Sequence, residues 1–206
     1  MTGIIDYGAG NIFSVAAGVR SCGEDVAMVT DADSLDRADR IILPGVGAFG
    51  DGMNNLHRSG LAPRIIDAVK NGKPFLGICL GLQLLFTHSQ EGDSPGMNIL
   101  PGRVLRFDAG KSGLKVPHIG WSRVSPLSGS RRLFKGIPGN SYFYFAHSYY
   151  AVPGEESMTA GTTCYGLEFC SVARRDNIVG VQFHPEKSGP YGLIFIKNFL
   201  EGKWLQ

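Results

Sequence analysis

Cys79 stands in the segment Gly77-Ile78-Cys79-Leu80-Gly81, with an apolar run before it and apolar residues at helical spacing after it. Glycine lies two positions away on each side. That pattern fits a strained strand-to-helix elbow, where small neighbours relieve clashes and the central side chain projects above a sheet. A thiol in that setting is suited to nucleophilic attack. A helix N-terminus favours the thiolate. The backbone N–H of Leu80 would face a developing oxyanion. The position falls at the carboxyl end of a strand, where open α/β sheets place their sites. A lone cysteine in a tight turn is ordinarily buried filler. Here both glycines and the strand-to-helix context favour a nucleophile. Cys22, Cys164 and Cys170 lack this setting and read as structural.

A thiol nucleophile needs a base that can return the proton. Five histidines compete. His57 and His88 lie in polar, exposed-looking stretches, while His118 and His147 sit near strand edges and could line a site. His184 is best placed, because it ends the buried run Ile178 to Phe183 and Pro185 stops further pairing. Glu186 follows two residues later, and in extended backbone i and i+2 face one side. A carboxylate there would fix the imidazole tautomer and stabilise the imidazolium. A polar strand end is the plain alternative for His-Pro-Glu. Together with the elbow at Cys79, the residues favour a Cys–His–Glu arrangement.

Pro44-Gly45-Val46-Gly47 follows another apolar run. It lacks both GxGxxG and a Walker lysine, so a phosphate-binding reading is weak. Two glycines could instead turn a backbone N–H toward a neighbouring site as a second oxyanion donor. An ordinary turn explains the segment equally well.

The elements that must position these groups alternate. Strands are expected at Gly3–Tyr7, Asp25–Val29, Arg40–Leu43 and Phe75–Ile78, and helices up to about Arg20, over Leu61–Lys70 and over Leu80–His88. That alternation implies an open, mostly parallel twisted sheet flanked by helices. The second half reads differently. Val104–Phe107, Arg123-Val124, Tyr142–Tyr150 and Glu168–Ala173 suggest an antiparallel extension, followed by a buried strand at Asn177–Phe183 and a last helix at Tyr191–Leu200. With 206 residues and no linker or repeat, one domain over 1–206 is expected.

Composition excludes several classes. The chain is 43% hydrophobic and 18% charged, which fits a folded globule. A net charge of +2 and no basic run give no reason to expect nucleic acid; Arg131-Arg132 and Arg174-Arg175 read as solvated turns. The longest apolar stretch, Phe75 to Phe86, is too short to span a membrane, and no signal peptide is evident. Four cysteines without CxxC spacing argue against zinc or a disulfide framework, and suggest a reducing, cytoplasmic setting. No cofactor or metal is expected.

Taken together, Gly77-Ile78-Cys79-Leu80-Gly81-Leu82-Gln83 and Phe183-His184-Pro185-Glu186 resemble the nucleophile and His–Glu motifs of class I glutamine amidotransferases. Further segments narrow the resemblance. Asp6-Tyr7-Gly8-Ala9-Gly10-Asn11-Ile12, Pro44-Gly45-Val46-Gly47-Ala48-Phe49, Pro117-His118-Ile119-Gly120-Trp121 and Tyr144-Phe145-Ala146-His147-Ser148-Tyr149 are similar to the glutaminase subunits of imidazole glycerol phosphate synthases, over nearly the whole chain. The resemblance implies that Cys79 attacks the carboxamide of L-glutamine, with His184 relaying protons and Glu186 orienting it. It implies oxyanion donors at the Val46 and Leu80 backbone, with the Val46 peptide reorienting as the active state forms. Gly47, Gln83, His147, Ser148 and Tyr149 fall at glutamine-binding positions. Asn11, Trp121 and Lys187 fall at positions facing a cyclase partner, a (β/α)₈ barrel that would receive the ammonia for histidine biosynthesis. Ser122 departs from the expected asparagine, and Phe13 and Ser14 from the usual residues after the GAGNI turn; these departures touch the interface, not the chemistry. The rival readings are a glutaminase of another synthase, a non-catalytic protein on the same fold, and a cysteine peptidase.

Overall fold

The computed structural model describes residues 1–112 and 114–205. The first half is built from β1 (Thr2–Ile5), α1 (Ile12–Ser21), β2 (Val26–Val29), α2 (Ala32–Arg37), β3 (Arg40–Gly45), α3 (Phe49–Arg58), α4 (Leu61–Lys70), β4 (Phe75–Cys79) and α5 (Leu80–Gln83). The chain continues through β5 (Phe86–Ser89), β6 (Ser94–Pro95), β7 (Leu100–Arg106), α6 (Ala109–Ser112), β8 (His118–Arg123) and β9 (Ser125–Pro126). It closes with β10 (Tyr142–His147), β11 (Tyr149–Pro153), β12 (Thr159–Tyr165), β13 (Leu167–Arg175), β14 (Ile178–Val181) and α7 (Gly189–Leu200).

The main sheet runs β2-β1-β3-β4-β14-β13-β11-β7-β5-β6, and β12 pairs with β13 and β9. From β2 to β14 every neighbour is parallel. Beyond β14 the partners β13, β11 and β7 are antiparallel, as the extension required. The parallel strands are apolar on both faces because helices cover both. Side chains alternate between two cores. Ile41, Leu43 and Phe75 join Leu56 and Ile65 of α3 and α4, while Ile42, Leu76, Val179 and Val181 join Val15 and Phe195 of α1 and α7.

Three expectations are corrected. The helix after Cys79 is one turn, not the span Leu80–His88. The Leu84 and Leu85 carbonyls accept from the Met97 and Leu100 N–H groups, both at 2.9 Å, so the chain turns into β5 instead. The stretch Tyr142–Tyr150 is two strands. β10 pairs with β8 in a separate ribbon, whereas β11 joins the main sheet, and the switch occurs at Ser148. Arg174 and Arg175 lie within β13 rather than in a turn, with the Arg174 guanidinium donating to the Trp204 carbonyl at 2.7 Å.

Candidate active site

Cys79 ends β4 with φ 55° and ψ −107°. That conformation costs a non-glycine residue about 1–3 kcal/mol and persists only where the surroundings impose it. They do so here. Cys79 pairs with Gly45 of β3. A side chain on Gly81 would meet the Leu43 carbonyl oxygen at 1.9 Å, and one on Gly77 the Gly81 carbonyl oxygen at 2.6 Å. The two flanking glycines therefore let β3, β4 and α5 close around the cysteine. One helical turn has a small macrodipole, so the expected dipole stabilisation of a thiolate is weak here. A cation must do that work.

His184 supplies it. The parallel register sets Val181 beside Ile78, so the chain leaving β14 runs past Cys79. The His184 imidazole is buried, and its Nδ1 lies 2.8 Å from Glu186 Oε1. A carboxylate only accepts, so Nδ1 carries a proton and Nε2 is left for Cys79. Burial alone would lower the His184 pKa, but hydrogen bonds to Cys79 and Glu186, with their charges, raise it to about 10. The imidazole therefore favours its protonated form near neutral pH. His184 N–H donates to the Tyr144 carbonyl at 2.8 Å, and Ser188 Oγ donates to the His184 carbonyl at 2.6 Å. Both bonds are to the His184 backbone and hold the segment that carries the ring. Glu186 was expected on extended backbone; it instead lies on a single 3₁₀ turn, Pro185–Lys187, which folds its carboxylate back onto the imidazole.

The other histidines are elsewhere or occupied. His57 is exposed, and His88 pairs with Asp93 at 3.0 Å. His147 is buried, and its Nδ1 lies 2.7 Å from the Tyr149 carbonyl. Burial lowers its pKa to about 3 and that of His118 to about 4, so both stay neutral.

A cavity of about 200 Å³ opens over the sulfur. Cys79, Leu80 and Gln83 form one wall, Val46 and Gly47 another, and His147, Ser148 and Tyr149 the third. The expected oxyanion and substrate residues are thus brought together. Leu80 opens α5, and the first N–H groups of a helix have no intrahelical partner. The loop carrying Val46 is tethered at Pro44, whose carbonyl accepts from the buried Tyr7 hydroxyl at 3.1 Å. Gly47 has φ 100°, a conformation that favours glycine.

The expected partner-facing residues lie outside this cavity. Trp121 is 54% exposed, its ring 6.1 Å from that of Tyr144, and the Lys187 ammonium lies 5.9 Å from the same Tyr144 ring. Asn11 precedes α1, is half-exposed, and makes no side-chain capping bond.

Glu91 and Gln182 also stand at the site, and no sequence motif marks either. Glu91, Pro117 and Ala146 also line the cavity, and Glu91 Oε2 accepts from the Phe49 N–H at 2.8 Å. Gln182 is fully buried, and its Nε2 lies 3.7 Å from Cys79 Sγ. Its signal was visible: a polar amide inside an apolar strand run must find a partner. Among the described residues, no group of three or more His, Cys, Asp or Glu could hold a metal ion.

Comparison with known proteins places this geometry. The profile of the family "Glutamine amidotransferase class-I" matches residues 3–202. The imidazole glycerol phosphate synthase subunit HisH of Moorella thermoacetica is 52% identical over 200 residues, covering 96% of this chain and 93% of that protein. The HisH subunit of Syntrophotalea carbinolica is 47% identical, covering 95% and 97%. Among solved structures, PurLQS from Thermotoga maritima aligns with TM-score 0.77 at 20% identity, over 98% of this chain and 97% of that one, a likeness of fold. The chain belongs to the class I glutamine amidotransferases, among the HisH subunits of imidazole glycerol phosphate synthase.

Proposed function

We propose that residues 1–206 work as one glutaminase domain that hydrolyses L-glutamine at Cys79 and hands the ammonia to a cyclase subunit. The observation that carries this reading is the line Cys79–His184–Glu186, with the sulfur at the floor of a cavity and the carboxylate behind the imidazole. The Cys79 thiolate attacks the carboxamide carbon. Leu80 and Val46 N–H groups receive the oxyanion. His184 gives its proton to the leaving nitrogen, ammonia departs, and a glutamyl thioester remains. His184 then takes a proton from water, whose oxygen attacks the thioester, and glutamate leaves with the thiolate restored. Every step uses groups of this chain. The cavity is smaller than the ~300–1,000 Å³ typical of sites for larger ligands, in keeping with a single amino acid rather than a peptide.

The partner reading rests on exposed apolar surface. Phe13 is 83% exposed and Ile119 63%, and Trp121 is exposed as well. A (β/α)₈ cyclase seated there, touching Asn11, Trp121 and Lys187, would receive ammonia before water protonates it. The four unpaired cysteines fit a cytoplasmic setting. The test is glutamine turnover by the chain alone and with a cyclase subunit loaded with a substrate analogue. Cys79→Ala is expected to abolish turnover in both, and the loaded partner to raise it in the unaltered chain. Turnover surviving in Cys79→Ala sinks the mechanism; equal rates with and without partner sink the coupling.

A further inference from the structure

A hydrogen-bond path connects the sulfur to strand β8, and one carbonyl decides its direction. The Tyr149 carbonyl oxygen can only accept. Two groups reach it: His147 Nδ1 at 2.7 Å and Gln83 Nε2 at 3.0 Å. His147 therefore holds its proton on Nδ1 and accepts at Nε2, where His118 Nδ1 stands 3.0 Å away. Since His118 then donates at Nδ1, its Nε2 accepts from Ser122 Oγ at 2.8 Å. On the other side, Gln83 presents its NH₂ to Tyr149, and the same NH₂ donates to Gln182 Oε1 at 3.0 Å. That leaves Gln182 only its NH₂ to turn toward Cys79 Sγ. No amide or ring in the path can be reversed without setting two donors or two acceptors against each other. His118 is held between the rings of Tyr165 and Phe145, at 3.9 and 4.9 Å between centroids.

We infer that Gln182 is a further catalytic residue, a neutral donor to the Cys79 thiolate, and that Gln83, anchored on the Tyr149 carbonyl, is the positioning residue that holds its amide in the donating orientation. The proposal rests on Cys79 being the nucleophile. A neutral donor suits this site because it stabilises the thiolate without competing with His184 for the proton.

The test reads the thiolate directly. The full-length chain is alkylated with iodoacetamide across pH, and the rate at Cys79 is followed by peptide-resolved mass spectrometry, which separates it from the exposed Cys164. The ionisable groups facing the sulfur are His184 from beyond β14, Tyr7 from beyond β1, His147 from β10 and Glu91 across the cavity. All four are unchanged in the variants. Gln182→Leu is expected to move the alkylation midpoint up by about one pH unit and to lower kcat about tenfold with KM nearly constant, the scale of one weak hydrogen bond to a charged group. Gln182→Glu, which keeps the acceptor but sets a carboxylate against the thiolate, moves the midpoint further. Gln83→Met, which frees the Gln182 amide to turn, is expected to shift the midpoint in the same direction by a smaller amount. It decides the matter alone if Gln182→Leu and Gln182→Glu do not fold. An unshifted midpoint in folded Gln182→Leu, or in Gln83→Met where the Gln182 variants fail, overturns the proposal. If Cys79→Ala retains turnover, the underlying nucleophile assignment fails instead.

Discussion

Replacing Cys79 by glycine tests whether the elbow stores strain. Its φ of 55° and ψ of −107° belong to a region that costs a side-chain-bearing residue about 1–3 kcal/mol. Alanine keeps that cost and loses the sulfur; glycine loses both. Comparing Cys79→Gly with Cys79→Ala isolates the backbone, because Gln182 and His184 lose their sulfur partner equally in both. At an unstrained position glycine is less stable than alanine on two counts: ~0.5–1 kcal/mol of extra chain entropy and ~0.8 kcal/mol for the buried methyl. Strain release opposes both. Glycine is therefore expected to lie between about 0.8 kcal/mol less stable and about 1.7 kcal/mol more stable than alanine. Urea unfolding followed by tryptophan fluorescence suits the measurement, since Trp204 is only 1% exposed in the fold. With a slope of about 1–3 kcal/mol/M, a difference of 1 kcal/mol moves the midpoint by roughly 0.5 M. A glycine variant less stable than alanine by more than ~1 kcal/mol would show that the backbone there is relaxed, and the strained-elbow argument would fail.

Three further outcomes follow from the same geometry. Glu186→Gln should keep the fold but lower kcat by about 10²–10⁴, as losing a tautomer-fixing carboxylate does elsewhere; a change under threefold in a glutaminase assay would remove Glu186 from the reaction. Gly81→Ala drives a methyl toward the Leu43 carbonyl, at 1.9 Å before relaxation; it should cost at least ~3 kcal/mol and most activity, and a variant with unchanged urea midpoint would contradict the close approach. His147 is buried and neutral, with its pKa lowered from 6.5 to about 3. The unfolded chain binds that proton first as pH falls, so the stability from the neutral ring is complete above 6.5 and is lost between 6.5 and about 3. Relative to His147→Gln, the unaltered chain should lose stability on acidification with a slope of about one proton across that window. Parallel pH curves for the two would refute the burial argument.

The parallel half is legible in the sequence because its signals are local. Gly77, Cys79 and Gly81 carry the elbow within one short segment, and His184, Pro185 and Glu186 carry the base and its orienter. The antiparallel half is less legible because its pairings are not local. Nothing within Tyr142–Tyr150 says that Phe145 pairs with Gly120 while Tyr150 pairs with Leu105 in another sheet. The helix expected through Leu80–His88 fails for a related reason. Leu82, Leu84, Leu85 and Phe86 are all fully buried, and such a run fits a buried strand as well as a buried helix. Gln182 is legible as a buried amide that needs a partner and His118 as a histidine near a strand edge, but which partner each finds depends on residues distant in the chain. Their roles follow from hydrogen bonds, which no spacing rule encodes.

The register between β4 and β14 explains why the nucleophile and its base can lie so far apart in the chain. Gly180 lies beside Gly77 and Val181 beside Ile78, so the strand pairing itself carries Gln182 to the sulfur and lets His184 follow. Both glycines in that pair are needed for α5 to lie across them. A side chain at Gly180 would meet Leu82 Cδ1 at 2.3 Å, and one at Gly77 would meet the Gly81 backbone. A slip of one residue would turn every side chain of β14 to the opposite face, removing Gln182 from Cys79 and setting Val179 and Val181 against the wrong core. The hydrophobic alternation that buries Val179 and Val181 is therefore the same constraint that aligns the chemistry. Stability and catalysis share one register at this seam, so neither can be altered there without the other.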